Sequence, residues 1–183
     1  MKRKLTSTWA LSLCACALLS GWLTTPTLAT SVQDKPKEQA KIPEDEAKAL
    51  QKINAATTTA DKTKQGVEFI KKFKKTTQRA KLADYLSVQI LGEKDPNVKL
   101  QAAQQFISVF DQPGEADLVK PALIDAYVQQ NKFDEAYSEG AKYLAAHPED
   151  VFVEAQLGFV GAQQVQKNGP TWKHTKVAAQ YAS

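Results

Sequence analysis

The sequence is poor in the residues on which most site chemistry rests. It has two cysteines, two histidines and one methionine among 183 residues. Cys14 and Cys16 both fall within the first 29 residues, so a chain cut after Ala29 contains no cysteine. Such a chain has no disulfide, no thiol nucleophile and no thiolate metal site, and an apolar core alone must hold it. His147 and His174 form neither an HExxH motif nor an i,i+4 pair, and both read as exposed side chains. There is no GxSxG, no phosphate-binding glycine loop and no EF-hand loop. Glu135 and Glu139 lie one turn apart and read as a solvated face rather than an acid–base pair. The expectation is a protein that is not an enzyme and carries no cofactor and no metal. Alternating strand patterns and hairpin dipeptides are also missing, which makes the fold class all-α.

A dominant charge is lacking too. The net charge of +4 includes Lys2, Arg3 and Lys4; without them 21 basic residues face 20 acidic ones, a balance of +1. This argues against nucleic acid as a partner.

Residues 1–29 read as an export signal. Lys2, Arg3 and Lys4 precede a mostly apolar run from Leu5 to Leu23, and Thr27-Leu28-Ala29 supplies small residues for cleavage between Ala29 and Thr30. The mature chain is then periplasmic or secreted, with no integral membrane segment and with envelope association open to it. A second reading stands beside this one. Leu13-Cys14-Ala15-Cys16 resembles a lipobox, which would anchor the protein through an acylated Cys16. Residues 30–46 are polar, with two prolines, and read as a flexible tether.

Residues 47–183 carry helical periodicity. Pro43 with Glu44-Asp45-Glu46 is a helix-start signal. Val67, Phe69, Ile70 and Phe73 give the apolar face of a helix over 62–75; Leu82, Tyr85, Leu86 and Ile90 serve 81–91. Asp95-Pro96-Asn97 starts a further helix, and 116–130, 133–146 and 151–166 follow, with a polar turn at Gln130-Asn131-Lys132. A short helix over 176–183 ends the sequence after a loop at 167–175.

These helices repeat. Gln65 to Leu86, Ala102 to Leu123 and Ala136 to Leu157 are each 21 residues apart, as are Phe69 to Ile90 and Phe106 to Tyr127. A constant distance between hairpins is what stacking demands, because each pair buries its face on the next. By the same rule Gly140 and Gly161 should face each other, with Tyr143 filling the displaced volume. The short last helix is either a cap or the start of a pair cut off with the rest of a longer array, and the lack of a polar cap favours the second.

Leu123, Tyr127, Phe133, Ala136 and Pro148, followed by Leu157-Gly158, resemble the tetratricopeptide repeat; Leu86, Ile90, Ala102 and Phe106 form a looser copy. Gly140, Tyr143 and Ile124 depart from that pattern. The resemblance implies an α-solenoid of about three hairpins whose first helices line a groove for a peptide or partner helix. Carried over by register, the groove residues are Lys81, Asp84, Val88, Asp125, Gln129, Phe152, Phe159 and Gln163. Phe152 and Phe159, two turns apart, are the strongest candidate contacts, unless a further helix covers them. The residues with which some family members clamp a terminal carboxylate are missing, since Pro121 and Ala155 stand at one such position.

Two features remain. Lys71, Lys72, Lys74, Lys75, Arg79 and Lys81 read as a solvated basic face around an inward Phe73, the alternative being a site for an anionic partner such as a lipid surface or an acidic protein. Trp172 either covers the end of the stack or serves as an interface anchor. The function expected is an exported protein-interaction module; the alternative is an envelope structural or assembly factor that acts by tethering or stacking into a larger complex.

Overall fold

Short polar side chains and prolines set where helices begin in this chain. Asp95 Oδ1 accepts from Asn97 N at 2.8 Å and from Val98 N at 3.3 Å, and Pro96 occupies the first turn. Asp150 Oδ1 caps Phe152 N at 3.2 Å and Val153 N at 3.1 Å, and Thr58 Oγ1 caps Asp61 N at 3.1 Å. Each of these oxygens satisfies amides that a helix N-terminus leaves unpaired.

The structure, a computed structural model, describes residues 42–182. The signal with its Ala29–Thr30 cleavage point, the lipobox Cys16 and most of the tether lie outside the described residues. Among the described residues eight α-helices run α1 Glu44–Ala55, α2 Thr59–Lys72, α3 Arg79–Leu91, α4 Pro96–Ile107, α5 Lys120–Gln129, α6 Phe133–Ala146, α7 Val151–Asn168 and α8 Thr175–Gln180. A 3-10 turn at Ala116–Leu118 precedes α5, and no strand occurs among the described residues. The protein is all-α. Ala40–Ser183 is one compact unit containing both apolar clusters. The extensive contacts join helices that are neighbours or next-but-one in chain order, above all α4–α5, α5–α6 and α2–α4.

Helix bounds depart from the expected ones for identifiable reasons. A single helix over 116–130 is replaced by the 3-10 turn and α5, because Pro121 lacks an amide hydrogen and its ring excludes the carbonyl four residues earlier. The Thr58 cap starts α2 at Thr59, and α1 begins at Glu44, at the proline-and-acid signal. α7 continues to Asn168, where Gly169 at φ 81° ends it. Between α5 and α6, Asn131 adopts φ 58°, and Lys132 N bonds Tyr127 O at 2.9 Å. This left-handed cap satisfies the last carbonyls of α5 within a three-residue turn.

The core has two clusters. Leu86, Ile90, Phe106 and Phe110 centre the first, with the rings of Phe106 and Phe110 stacked at 4.2 Å. Ile124, Tyr137, Tyr143, Val153 and Leu157 centre the second, and Tyr127 packs against both. Small residues admit leucines from the following hairpin. A Cβ at Gly66 would collide with Leu86, and one at Gly140 would lie 2.5 Å from Leu157 Cδ1.

That packing corrects the expected facing of Gly140 and Gly161. Leu157 fills the space beside Gly140, whereas Gly161 lies against Ala178 of α8 and 2.8 Å, measured from an added Cβ, from the Tyr137 hydroxyl. Tyr143 is buried, with its hydroxyl donating to Asp150 Oδ2 at 2.8 Å. The histidines are corrected as well. His174 is 12% exposed, stacks on Tyr137 at 5.2 Å and lies 2.8 Å from Asp134 Oδ1. His147 packs on Tyr143 at 4.6 Å with Asp117 Oδ2 at 3.3 Å. Flat rings find aromatic faces here, and a carboxylate meets each outer nitrogen.

Arg79 leaves the expected basic face. Its Nε and Nη2 donate to the Glu115 carboxylate at 2.9 and 2.7 Å, Nη2 also reaches Val109 O at 2.7 Å, and the guanidinium covers Phe110. The bond to Glu115 leads the causes that raise the Arg79 pKa further. Trp172 packs edge-on to Phe133 at 5.5 Å and covers the α6–α8 junction.

Two outcomes follow. A methyl group at Gly158 collides with the backbone carbonyl of Tyr181. Gly158→Ala should therefore loosen α8 and cost about 1–3 kcal/mol, read as a lowered Tm and a red shift of Trp172, the one tryptophan in residues 40–183. Burial pushes the Tyr137 hydroxyl up to about 12, and burial with the Asp150 bond does the same for Tyr143. An unfolded chain ionises both near pH 10, while the folded chain keeps both protons. Stability fully present below pH 10 should fall as pH rises to about 12, by roughly 2 kcal/mol or more. Denaturant melts across that range, with phenolate absorbance in parallel, check this.

Candidate partner-binding face

The residues carried over by register sit on α3, α5 and α7, and α5 touches both of the others. Each helix turns its core stripe inward, α3 through Leu82, Leu86 and Ile90 and α7 through Val153 and Leu157. The opposite faces are left to solvent. Lys81, Asp84, Gln129 and Gln163 are exposed, and so is Val88, at 63%. Phe152 and Phe159 are 72% and 66% exposed, and Val151 beside them 71%. No helix among the described residues covers the two phenylalanines. A pair of aromatic rings so open on one helix face is an unusual apolar surface for water to border.

Asp125 differs from the other seven. It is half-buried, and its carboxylate accepts from Lys99 Nζ, from Gln129 Nε2 at 2.7 Å and from Gln156 Nε2 at 2.7 Å. Burial pushes this carboxyl up, but hydrogen bonds from Lys99 and Gln129, the Lys99 charge and the Gln156 bond outweigh it and hold the pKa below the usual value. Asp125 thus ties α4, α5 and α7 together beneath the face, and Gln129 is steered by it. Lys99, at 8% side-chain exposure, and Gln156 are the members that register alone does not single out. A signal for Lys99 exists: it lies on the buried stripe of α4 with Ala102, Ala103 and Phe106, where a charge requires a partner.

A second open feature adjoins the face. Gly161, Ala162, Val165, Ala178 and Ala179 line a depression of about 420 Å³ between α7 and α8. Among the described residues no group of three His, Cys, Asp or Glu side chains gathers to hold a metal ion. No helix among them is long and apolar enough to cross a membrane. Comparison of the chain with protein-family models, with curated proteins and with solved structures gave no match.

The buried pair gives a test of the support beneath the face. Lys99→Met leaves the Asp125 charge without its cation and should cost about 3 kcal/mol. Adding Asp125→Leu should recover much of that loss, since the uncompensated charge goes with it. Chemical denaturation of the two variants checks both steps.

Proposed function

We propose that this protein is an exported interaction module, an α-solenoid of tetratricopeptide-like hairpins that binds a peptide or partner helix across α3, α5 and α7. The observation that carries the reading is the exposure of Phe152 and Phe159 above a floor braced by Asp125. Aromatic anchors that require no large rearrangement to reach supply most of the energy in such interfaces, with polar neighbours setting register. Here Lys81, Asp84, Gln129 and Gln163 are the polar neighbours. The regular spacing of 21 residues between hairpins supports the solenoid. Export rests on the basic, apolar and small-residue segments of residues 1–29.

A second reading, assembly by stacking into a larger envelope complex, draws on the apolar depression between α7 and α8. It predicts a partner contacted through Ala162 and Ala179 rather than through α3.

A photo-crosslinking residue at position 159 should trap a partner in envelope extract, while the same residue at Asp111, exposed on the far loop, should not. Against the trapped partner, Phe152→Ala with Phe159→Ala should weaken binding at least tenfold, in line with two anchors of about 1–2 kcal/mol each. An unchanged affinity in a folded double variant sinks the groove reading.

A further inference from the structure

The exposed face of α7 has a period of its own. Phe152, Ala155, Phe159, Ala162 and Gln166 follow one another at steps of three, four, three and four residues, and all five are exposed. This is the a/d spacing of a helix seam, running along the side of α7 opposite Val153 and Leu157. Core helices in this fold need no second stripe, so a seam on the outer side calls for another helix.

We infer that the partner helix is α7 of a second copy of this chain, paired antiparallel about a two-fold axis near Leu157. The inference rests on the proposed reading of Phe152 and Phe159 as partner contacts and names the partner. Two features of the page favour this occupant over others. The first is shape. In the antiparallel register that sets Phe152 opposite Ala162 of the second copy, Ala155 falls opposite Phe159. The two-fold repeats both pairs, so every ring is set opposite a methyl. A seam alternating large and small side chains is complementary to itself in this direction, and helices close in where rings fit over small residues.

The second is charge. The same register carries Lys167, exposed at the end of one α7, to the start of the other, where Glu149 presents a side chain 77% exposed. Lys167 has no ion-pair partner within the chain among the described residues, and the two-fold makes this pair twice. The C-terminal end of each helix then lies beside the N-terminal end of the other, which suits their opposed dipoles. Four phenylalanines and two valines, with the flanking alanines and glutamines, would bury on the order of 1,000 Å². That is the lower limit for a specific interface and fits a dimer with Kd on the order of micromolar rather than an obligate one.

Residues 40–183, the compact unit, contain no cysteine, so introduced thiols report contact directly. Phe152→Cys and Ala162→Cys lie opposite each other across the two-fold in this register. Mixed under mild oxidation, the two variants should form the 152–162 disulfide, and each alone should form little. Sedimentation equilibrium of the unmodified chain should show a monomer–dimer equilibrium, and Phe159→Ala should raise its Kd at least tenfold with the helical spectrum unchanged. A Phe152→Cys homodisulfide as the main product would mean parallel pairing and overturn the inference. A monomer throughout would overturn it too. If that monomer still traps another protein through position 159, the partner-binding face stands with a different occupant; if Phe152→Ala with Phe159→Ala changes neither binding nor association, both readings fall.

Discussion

A leucine seated on a small residue one hairpin earlier is the contact from which the rest of this fold follows. Leu157 lies against Gly140, and Leu86 against Gly66. In each case the second helix of one pair gives up its side chain so that the first helix of the next can approach. The reward is burial: Leu86 and Leu157 are fully enclosed, and each removes an apolar side chain from water at roughly 2 kcal/mol. A hairpin alone could not reach that state, since half of each leucine would remain wet. The constraint therefore acts between hairpins and leaves the turn within each free to vary. Hence Asn131 can close one hairpin in three residues, while Gly92 to Asp95 takes four at another.

Apolar packing does not specify the angles between these helices on its own, because leucine on glycine tolerates sliding. Two polar clusters add direction. Arg79 forks onto Glu115 and reaches the Val109 carbonyl, which locks the start of α3 to the loop after α4. Lys99, Asp125 and Gln156 join α4, α5 and α7. Charged hydrogen bonds of this kind hold strict geometry, so a shift of about 1 Å along a helix would break several of them. The first cluster ties a helix to a loop, and the second spans helices from different hairpins. They hold the register that the apolar contacts only permit.

This division explains what the sequence discloses and what it hides. Periodicity located the eight helices of the described residues, because leucine and alanine stripes are visible one residue at a time. Pro121 hid a break: it is a first-turn proline of α5, and its effect falls on a carbonyl four residues earlier. Spacing alone paired Gly140 with Gly161, yet side-chain volume decided otherwise: Leu157 occupies the first glycine and α8 the second. The histidines were least legible. His174 is held by Tyr137 and Asp134 from a helix some forty residues earlier, and no local pattern announces such a pairing. Asp125 reads from α5 as an open polar side chain, but its partner Lys99 comes from another hairpin, so its engagement could not be read from α5.

The candidate face is shaped by the same rule that builds the core. Every first helix must turn one stripe toward the preceding hairpin, and α7 does so through Val153 and Leu157. Gly158 and Gly161 then take α8, and Gln156 is drawn to Asp125. Three directions around α7 are thereby assigned, and the side bearing Phe152 and Phe159 remains. On α3 the corresponding side carries Lys81, Asp84 and Val88, a surface that water tolerates well. On α7 it carries two aromatic rings separated by alanines, which solubility alone would not select. Because the core has no claim on those rings, their exposure beside Val151 is an argument about binding and not about folding.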